Sequence, residues 1–369
     1  MTHTTFWSGR LRLGLLTAAT AAFALPAAAA AAPRLAVVAR GIDNPRQVSL
    51  APDGSTLYVA SAGRAGRSCF GPRRSPTCFG FSGRIVGVNP GSGAKRTVAS
   101  GLLSVAGPDG TFATGPDGVS AGPDGRVMTV ITSATPREIA GVPRPAQAQA
   151  GELFRVLPRP LTDVAAIDSF EWRHNSDGVR GDLNSNPYAV LALEGRDVVA
   201  DAGANAVLQV RGRSVSLLAA IKGPGRTQRV PSSLALGPEG DIYVGELAEG
   251  AGNGAARVLR IPANGGRPTV YATGFTTVTG IDFGPDGSLY VTELTTNTRA
   301  RSAPGRVTRV APDGRRTSYS GRDLFFPQGA AVAQDGSVYV SDFSVLPAST
   351  PRRGPFGGAG GQLVRISGL

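Results

Sequence analysis

The sequence predicts an all-β chain of six four-stranded sheets set radially about one axis, and three observations carry that expectation. A hairpin phrase recurs: FGPDGSLYVTEL at 283–294 is echoed by LGPEGDIYVGEL at 236–247 and VAQDGSVYVSDF at 332–343. Its turn position recurs at Asp53, Asp124, Glu194, Glu239, Asp286 and Asp335. From the third onward these lie roughly 45 to 50 residues apart, the period of a four-stranded blade. Finally, the last unit ends at QLVRISGL one strand short, while RLAVVARG at 34–41 is left over to supply it. Pairing the first strand into the last sheet closes the ring and removes its open edge. The predicted fold is a six-bladed β-propeller, a single domain over residues 33–369.

The elements follow in chain order. MTHTTFWSGRLRLGLLTAATAAFALPAAAAAAPR sets Arg10 and Arg12 before an apolar run from Leu13 to Leu25, then small residues to Ala32. Residues 1–32 read as a Sec signal peptide cleaved near Ala30–Ala32, so the expected protein is secreted. No later apolar stretch reaches the roughly 20 residues of a membrane span. Each unit then opens with a short apolar strand (QVSLA, GVSAG, AVLAL, SLALG, GIDFG, AAVAQ). A P-D-G type turn leads to a second strand such as LYVA, IYVG or VYVS, the pattern of an antiparallel hairpin. The third strands are RIVGVN, ELFRV, AVLQV, RVLRI, RVTRV and QLVRI, and a fourth follows another Gly-rich turn.

Up-and-down strand order puts both tight turns of a blade on one face and the remaining connections on the other. The long segments 62–83, 133–150, 168–187, 247–256, 295–306 and 344–361 are all of the second kind. Loops on a rigid scaffold are the usual home of binding residues, so this face is expected to meet a small molecule, a glycan or a protein. Within it, Cys69 and Cys78 share the loop SCFGPRRSPTCFG and are expected to form a disulfide in an oxidising compartment. The formal charge of +12 comes from scattered arginines, with Lys95 and Lys222 the only lysines. Without a Lys/Arg-dense run this argues against a nucleic-acid partner.

Acidic residues end the second strands on the loop-rich face: Asp201, Glu246, Glu293 and Asp342, with Ser61 and Thr132 in the first two units. They are candidates for an electronegative ligand-binding rim. The competing role is local, because a short acid at a strand end also accepts hydrogen bonds from nearby amides. The densest polar stretch, FEWRHNSDGVRGDLNSNPYAV at 170–190, offers Glu171, Asn175, Asp177, Asp182 and Asn186 as hard oxygen ligands of the kind calcium takes. Once His3 is removed with the leader, His174 is the single histidine, which excludes a multi-histidine zinc site. A G-x-S-x-G string at 118–122 falls inside a predicted first strand, away from any strand-to-helix elbow.

The hairpin phrases and VADAGANAV resemble NHL-type propellers. The FEW…NSDG…NSNPYAVLALEG run with the two-cysteine insertion resembles, more narrowly, the secreted ScyD/ScyE family widespread in actinobacteria. That resemblance implies a fold and an extracellular address. The chain also resembles the calcium-dependent lactonases of gluconolactonase and regucalcin type, which are six-bladed and hold their metal on acid and amide side chains at the starts of the inner strands. Pro116-Asp117-Gly118 matches that context, while the other units offer Arg46, Tyr188, Ser232, Thr279 and Gln328 at the equivalent place. Two functions are therefore expected: a secreted binding propeller that takes calcium, or a metal-assisted lactone or ester hydrolase in which Asp117 or Glu171 activates water. Asp117 joins the five residues of 170–190 as a candidate metal ligand.

Overall fold

In the computed structural model, which describes residues 32–223, 228–300 and 303–369, six antiparallel sheets surround one axis. Their innermost strands are Pro45–Leu50, Pro116–Ala121, Pro187–Leu193, Pro231–Leu236, Val278–Phe283 and Gln328–Val332; we number the blades 1 to 6 in that order. Each pairs with the strand that the repeated phrase predicts. The sixth sheet is completed by Arg34–Arg40, which runs antiparallel to Gln362–Ser367 from Arg34 opposite Ser367 to Arg40 opposite Gln362. Ring closure by the N-terminal strand is thus as predicted. The predicted signal peptide lies outside the described residues, apart from Ala32.

Why the phrase repeats is visible in the packing. The second strands are buried on both faces, and successive side chains point to opposite sides of a sheet. In IYVGE, Ile242 and Val244 pack with Val198 and Val207 of blade 3, whereas Tyr243 packs with Ile281 and Val291 of blade 5. The tyrosine of each phrase does the same: Tyr58 faces blade 2, Tyr290 blade 6 and Tyr339 blade 1. The core is accordingly divided into six apolar wedges between neighbouring blades. At the tight turn, Asp286 Oδ1 accepts from Ser288 N at 3.0 Å, and Gly287 takes φ +75°, which favours glycine.

Two features of the loop-rich face depart from expectation. The stretch from 168 onward does not open as a loop: Ile167–His174 is a helix with Ile167, Asp168, Phe170 and Glu171 buried, ended by Asn175 in the left-handed conformation. Short helices Pro136–Ala140 and Arg144–Gln147 also fill the 133–150 segment, the first capped by Thr135 and Glu138. Helices form here because an insertion leaving a sheet must satisfy its own backbone. The segments are also tied to one another: Asn44 Nδ2 donates to Gly63 O and Gly110 O, and Asp43 Oδ1 accepts from Ala348 N at 2.8 Å. Cys69 and Cys78 are disulfide-bonded and joined in register, stiffening a small ribbon, Ser68–Phe70 on Thr77–Val88.

Candidate functional site

The first residues of the inner strands meet at the axis, on the end of the channel nearer the long segments. Arg46 of blade 1 lies between Asp117 of blade 2 and Gln328 of blade 6: its Nε is 3.4 Å from Asp117 Oδ1, and its Nη1 donates to Gln328 Oε1 at 3.0 Å. Its Nη2 donates to Ala113 O. Gln328 Nε2 reaches across the axis to Tyr188 Oη of blade 3. Arg46 is 6% exposed, and Asp117 and Gln328 are fully buried. Ser232 and Thr279, the equivalents in blades 4 and 5, are spent on the frame, donating to Val278 O and Pro327 O.

Unpartnered polar atoms mark this cluster. Both carboxylate oxygens of Asp117 and Nε of Arg46 are buried without a hydrogen-bond partner, a state proteins avoid unless the groups await a ligand or serve chemistry. Burial pushes the Asp117 carboxyl up to about 7 against the opposing pull of Arg46, and burial likewise raises Tyr188. Gln47 closes the floor, its Nε2 donating to Ser232 O at 3.0 Å and Thr279 O at 2.8 Å on the far side of the ring. Sequence reading missed Gln47 entirely. The available signal was its polarity at a position where blades 2, 3, 5 and 6 carry Gly118, Ala189, Gly280 and Gly329.

Below that floor, the same strands enclose a cavity of about 650 Å³ that opens toward the tight turns, among Asp53, Pro90 and Asp335. Its polar groups are committed to joining blades: Ser49 Oγ accepts from Ala121 N, Ser120 Oγ from Ala192 N, and Asp282 Oδ2 from Val332 N at 2.7 Å. The loops were expected to frame the binding surface, but this cavity lies at the opposite end.

The four rim acids are corrected by the structure. All are fully buried and none presents a free carboxylate. Glu246 is held bidentately by Arg257, at 2.8 Å twice, and Glu293 by Arg306, at 2.6 and 2.9 Å, with Thr276 N as a further donor. Asp201 accepts from Ser185 Oγ, Asn186 N and Ala204 N. Asp342 accepts from Phe325 N and Gln362 Nε2. They brace second strand to third strand or to the preceding crossover. Burial raises Asp201 to about 6 and Asp342 to about 7.

The six-residue metal set does not come together as one site either. Asp117 belongs to the axial cluster. Asp177 is engaged by Val179 N and Asn205 Nδ2, Asp182 by Gln228 Nε2, and Asn186 Oδ1 by Thr132 Oγ1. Glu171 accepts from Ser176 N at 2.9 Å, and its carboxyl is pushed to about 7 by burial, with Asp201 and Asp177 nearby adding to the rise. Glu171 Oε1 and Asn175 Oδ1 are buried without partners. Among the described residues, no group of three or more His, Cys, Asp or Glu is arranged to hold a metal.

Calcium at the axial position can be tested directly on the donor set. A calcium ion takes six to eight oxygens, several of them charged. Here one carboxylate is present, the Gln328 oxygen is occupied by Arg46, and the guanidinium stands against the carboxylate where the ion would have to sit. These residues do not fit the ion.

A family model described as SMP-30/Gluconolactonase/LRE-like region matches residues 161–346. Among solved structures, the chain is similar to a gluconolactonase from Xanthomonas campestris (TM-score 0.52, 11% identity, 90% of this chain and 89% of that one). It is also similar to a luciferin-regenerating enzyme (TM-score 0.53, 10% identity, 91% and 96%) and to a PQQ-bound aldose sugar dehydrogenase from Streptomyces coelicolor (TM-score 0.50, 13% identity, 92% and 100%). At these identities the likeness is one of fold, and different chemistries on one architecture leave the activity to be argued from the site. No curated protein matches the sequence.

Proposed function

The chain belongs to the SMP-30/gluconolactonase/LRE-like family, and from that premise we propose that the axial cluster hydrolyses a lactone or ester with Asp117 as the base. The observation that carries the proposal is the juxtaposition of a buried carboxylate, both of its oxygens unpartnered, with a buried guanidinium whose Nε–H is also unpartnered. A general base works best when its pKa lies near the operating pH, and burial brings Asp117 to about 7.

Water attacks the acyl carbon and gives a proton to Asp117, while the carbonyl electrons move onto oxygen, where the Arg46 N–H stabilises the charge. Collapse restores the C=O and breaks the acyl C–O bond, and the leaving alkoxide takes the proton back from Asp117. The product is a hydroxy acid, or an acid and an alcohol. Tyr188 and Gln328 orient the acyl group. The secreted address expected from residues 1–32 is part of the same proposal, with the substrate an extracellular lactone or ester.

The test is turnover of a panel of sugar lactones and aryl esters followed by pH-stat titration. Asp117→Asn should lower kcat by about 10²- to 10⁴-fold in a variant that still folds, as circular dichroism would check, although the stranded Arg46 charge lowers its melting temperature. An inactive parent across the panel, or an unaffected Asp117→Asn variant, would overturn the assignment.

A further inference from the structure

The axial layer of six residues contains one acid and one base, Asp117 and Arg46, side by side and buried. A metal at this point would leave the guanidinium facing a divalent cation in a region of low dielectric, with Asp117 the only anion to offset both. Arg46 cannot simply be ignored as an incidental neighbour. It is fixed by Gln328 Oε1 and Ala113 O, with its Nε held 3.4 Å from the Asp117 carboxylate and without a hydrogen-bond partner of its own. Ser232 and Thr279 have turned their hydroxyls to backbone carbonyls and are not arranged as ligands.

We infer that the Arg46 guanidinium stands in the place of the metal, making the axial site independent of divalent cations and giving it a fixed cation that takes the carbonyl or carboxylate oxygen of the ligand. A guanidinium offers directed N–H donors that a spherical ion lacks. Its charge is always present, whatever the calcium supply outside the cell. The second half of the inference, on what the guanidinium binds, rests on the proposed hydrolytic function; the first half does not.

The experiment separates the two. Calcium titrations of the full mature chain are followed by thermal melting and by calorimetry, each repeated with chelator, for the parent, Arg46→Asn, Arg46→Lys and the double variant Arg46→Asn/Asp117→Asn. The parent and Arg46→Lys should show no calcium-dependent shift. Arg46→Asn exchanges the cation for an oxygen ligand next to Asp117 and should gain a saturable rise of about 3 °C, which the double variant loses. A saturable calcium shift in the parent that Asp117→Asn abolishes would overturn the inference, as would an Arg46→Asn variant that folds and gains nothing. If Arg46→Asn does not fold, the parent, Arg46→Lys and Asp117→Asn decide the matter alone. In the turnover assay, hydrolysis by the parent should be unchanged by chelator. A parent that hydrolyses nothing sinks the hydrolytic proposal and leaves the melting result to judge the cation.

Discussion

At its upper end the axial channel is filled by Arg46, Gln47, Asp117, Tyr188 and Gln328, while at its lower end the same six strands surround a cavity of about 650 Å³. Both ends carry carboxyls, Asp117 fully buried above and Asp282 half-buried below, where it lines the cavity. The difference lies in what the carboxyls face. Asp282 accepts from the backbone of Val332 and Phe283 and so joins blade 5 to blade 6. Asp117 has no such engagement and faces a guanidinium. Polar groups at the lower end join blades, whereas at the upper end, beside similar ties made by Gln47 and Gln328, the Asp117 carboxylate and Arg46 Nε are left without partners.

Four perturbations distinguish the two ends of the channel. Asp117→Ala strands the buried Arg46 charge and should cost about 3–5 kcal/mol in urea unfolding; a loss below about 1 kcal/mol would mean that the pair is solvated and the upper end is not what it is taken to be. The two ends should next separate by pH. A carboxyl raised in the folded state contributes stability that is fully present below its unfolded pKa, near 4, and is lost as pH rises through the folded pKa. That loss runs through about 7 for Asp117 and about 6 for Asp282. The melting temperature of the parent should therefore fall between about pH 4 and pH 7, and Asp282→Asn should flatten the lower part of that slope. No change in slope would place Asp282 in water.

Of intermediate size is Gln47→Ala, which leaves the Ser232 and Thr279 carbonyls without their donor and removes the floor between the two compartments. A loss of about 1–3 kcal/mol is expected, with lactone turnover reduced because the cluster above loses its support. Smallest is Leu236→Glu, at an exposed position on the lower mouth. Stability should stay within about 0.5 kcal/mol and turnover should not change. A large drop in turnover in this variant would move the chemistry to the wrong end of the molecule.

Blade number, strand order and ring closure were legible because each follows from local pattern: alternating apolar residues, P-D-G turns, and one unpaired strand at each terminus. The axial position was legible as a place, since Asp117, Arg46, Tyr188 and Gln328 each directly follow a proline at the start of an inner strand. What it does was not, because Arg46 reads as a missing ligand until its contact with Asp117 is seen. The rim acids stand at the strand ends where they were expected, but their engagement was missed for a related reason. Whether Glu293 is free depends on Arg306, thirteen residues on, arriving opposite it in the next strand. The pairing Glu246 with Arg257 repeats that relation, so a sequence search for acid at the end of one strand and arginine at the start of the next would have found these two braces, though not those of Asp201 and Asp342. The helix Ile167–His174 escaped notice because its Asp, Ser, Glu and Asn content resembles a loop, and its burial of Phe170 against blades 2 and 3 is a tertiary matter.

The N-terminal strand has a consequence for when the cluster can exist at all. Arg40 and Gln362, hydrogen-bonded partners, are 322 residues apart in sequence, and contacts of such separation form late because their loop entropy must be overcome first. Their pairing lies within the sixth sheet and brings blade 1, which follows Arg40 in the chain, beside blade 6, the junction that the Arg46 to Gln328 hydrogen bond crosses. A chain still open at this point lacks the Arg46 to Gln328 link. The strand that closes the ring thereby also completes the axial cluster.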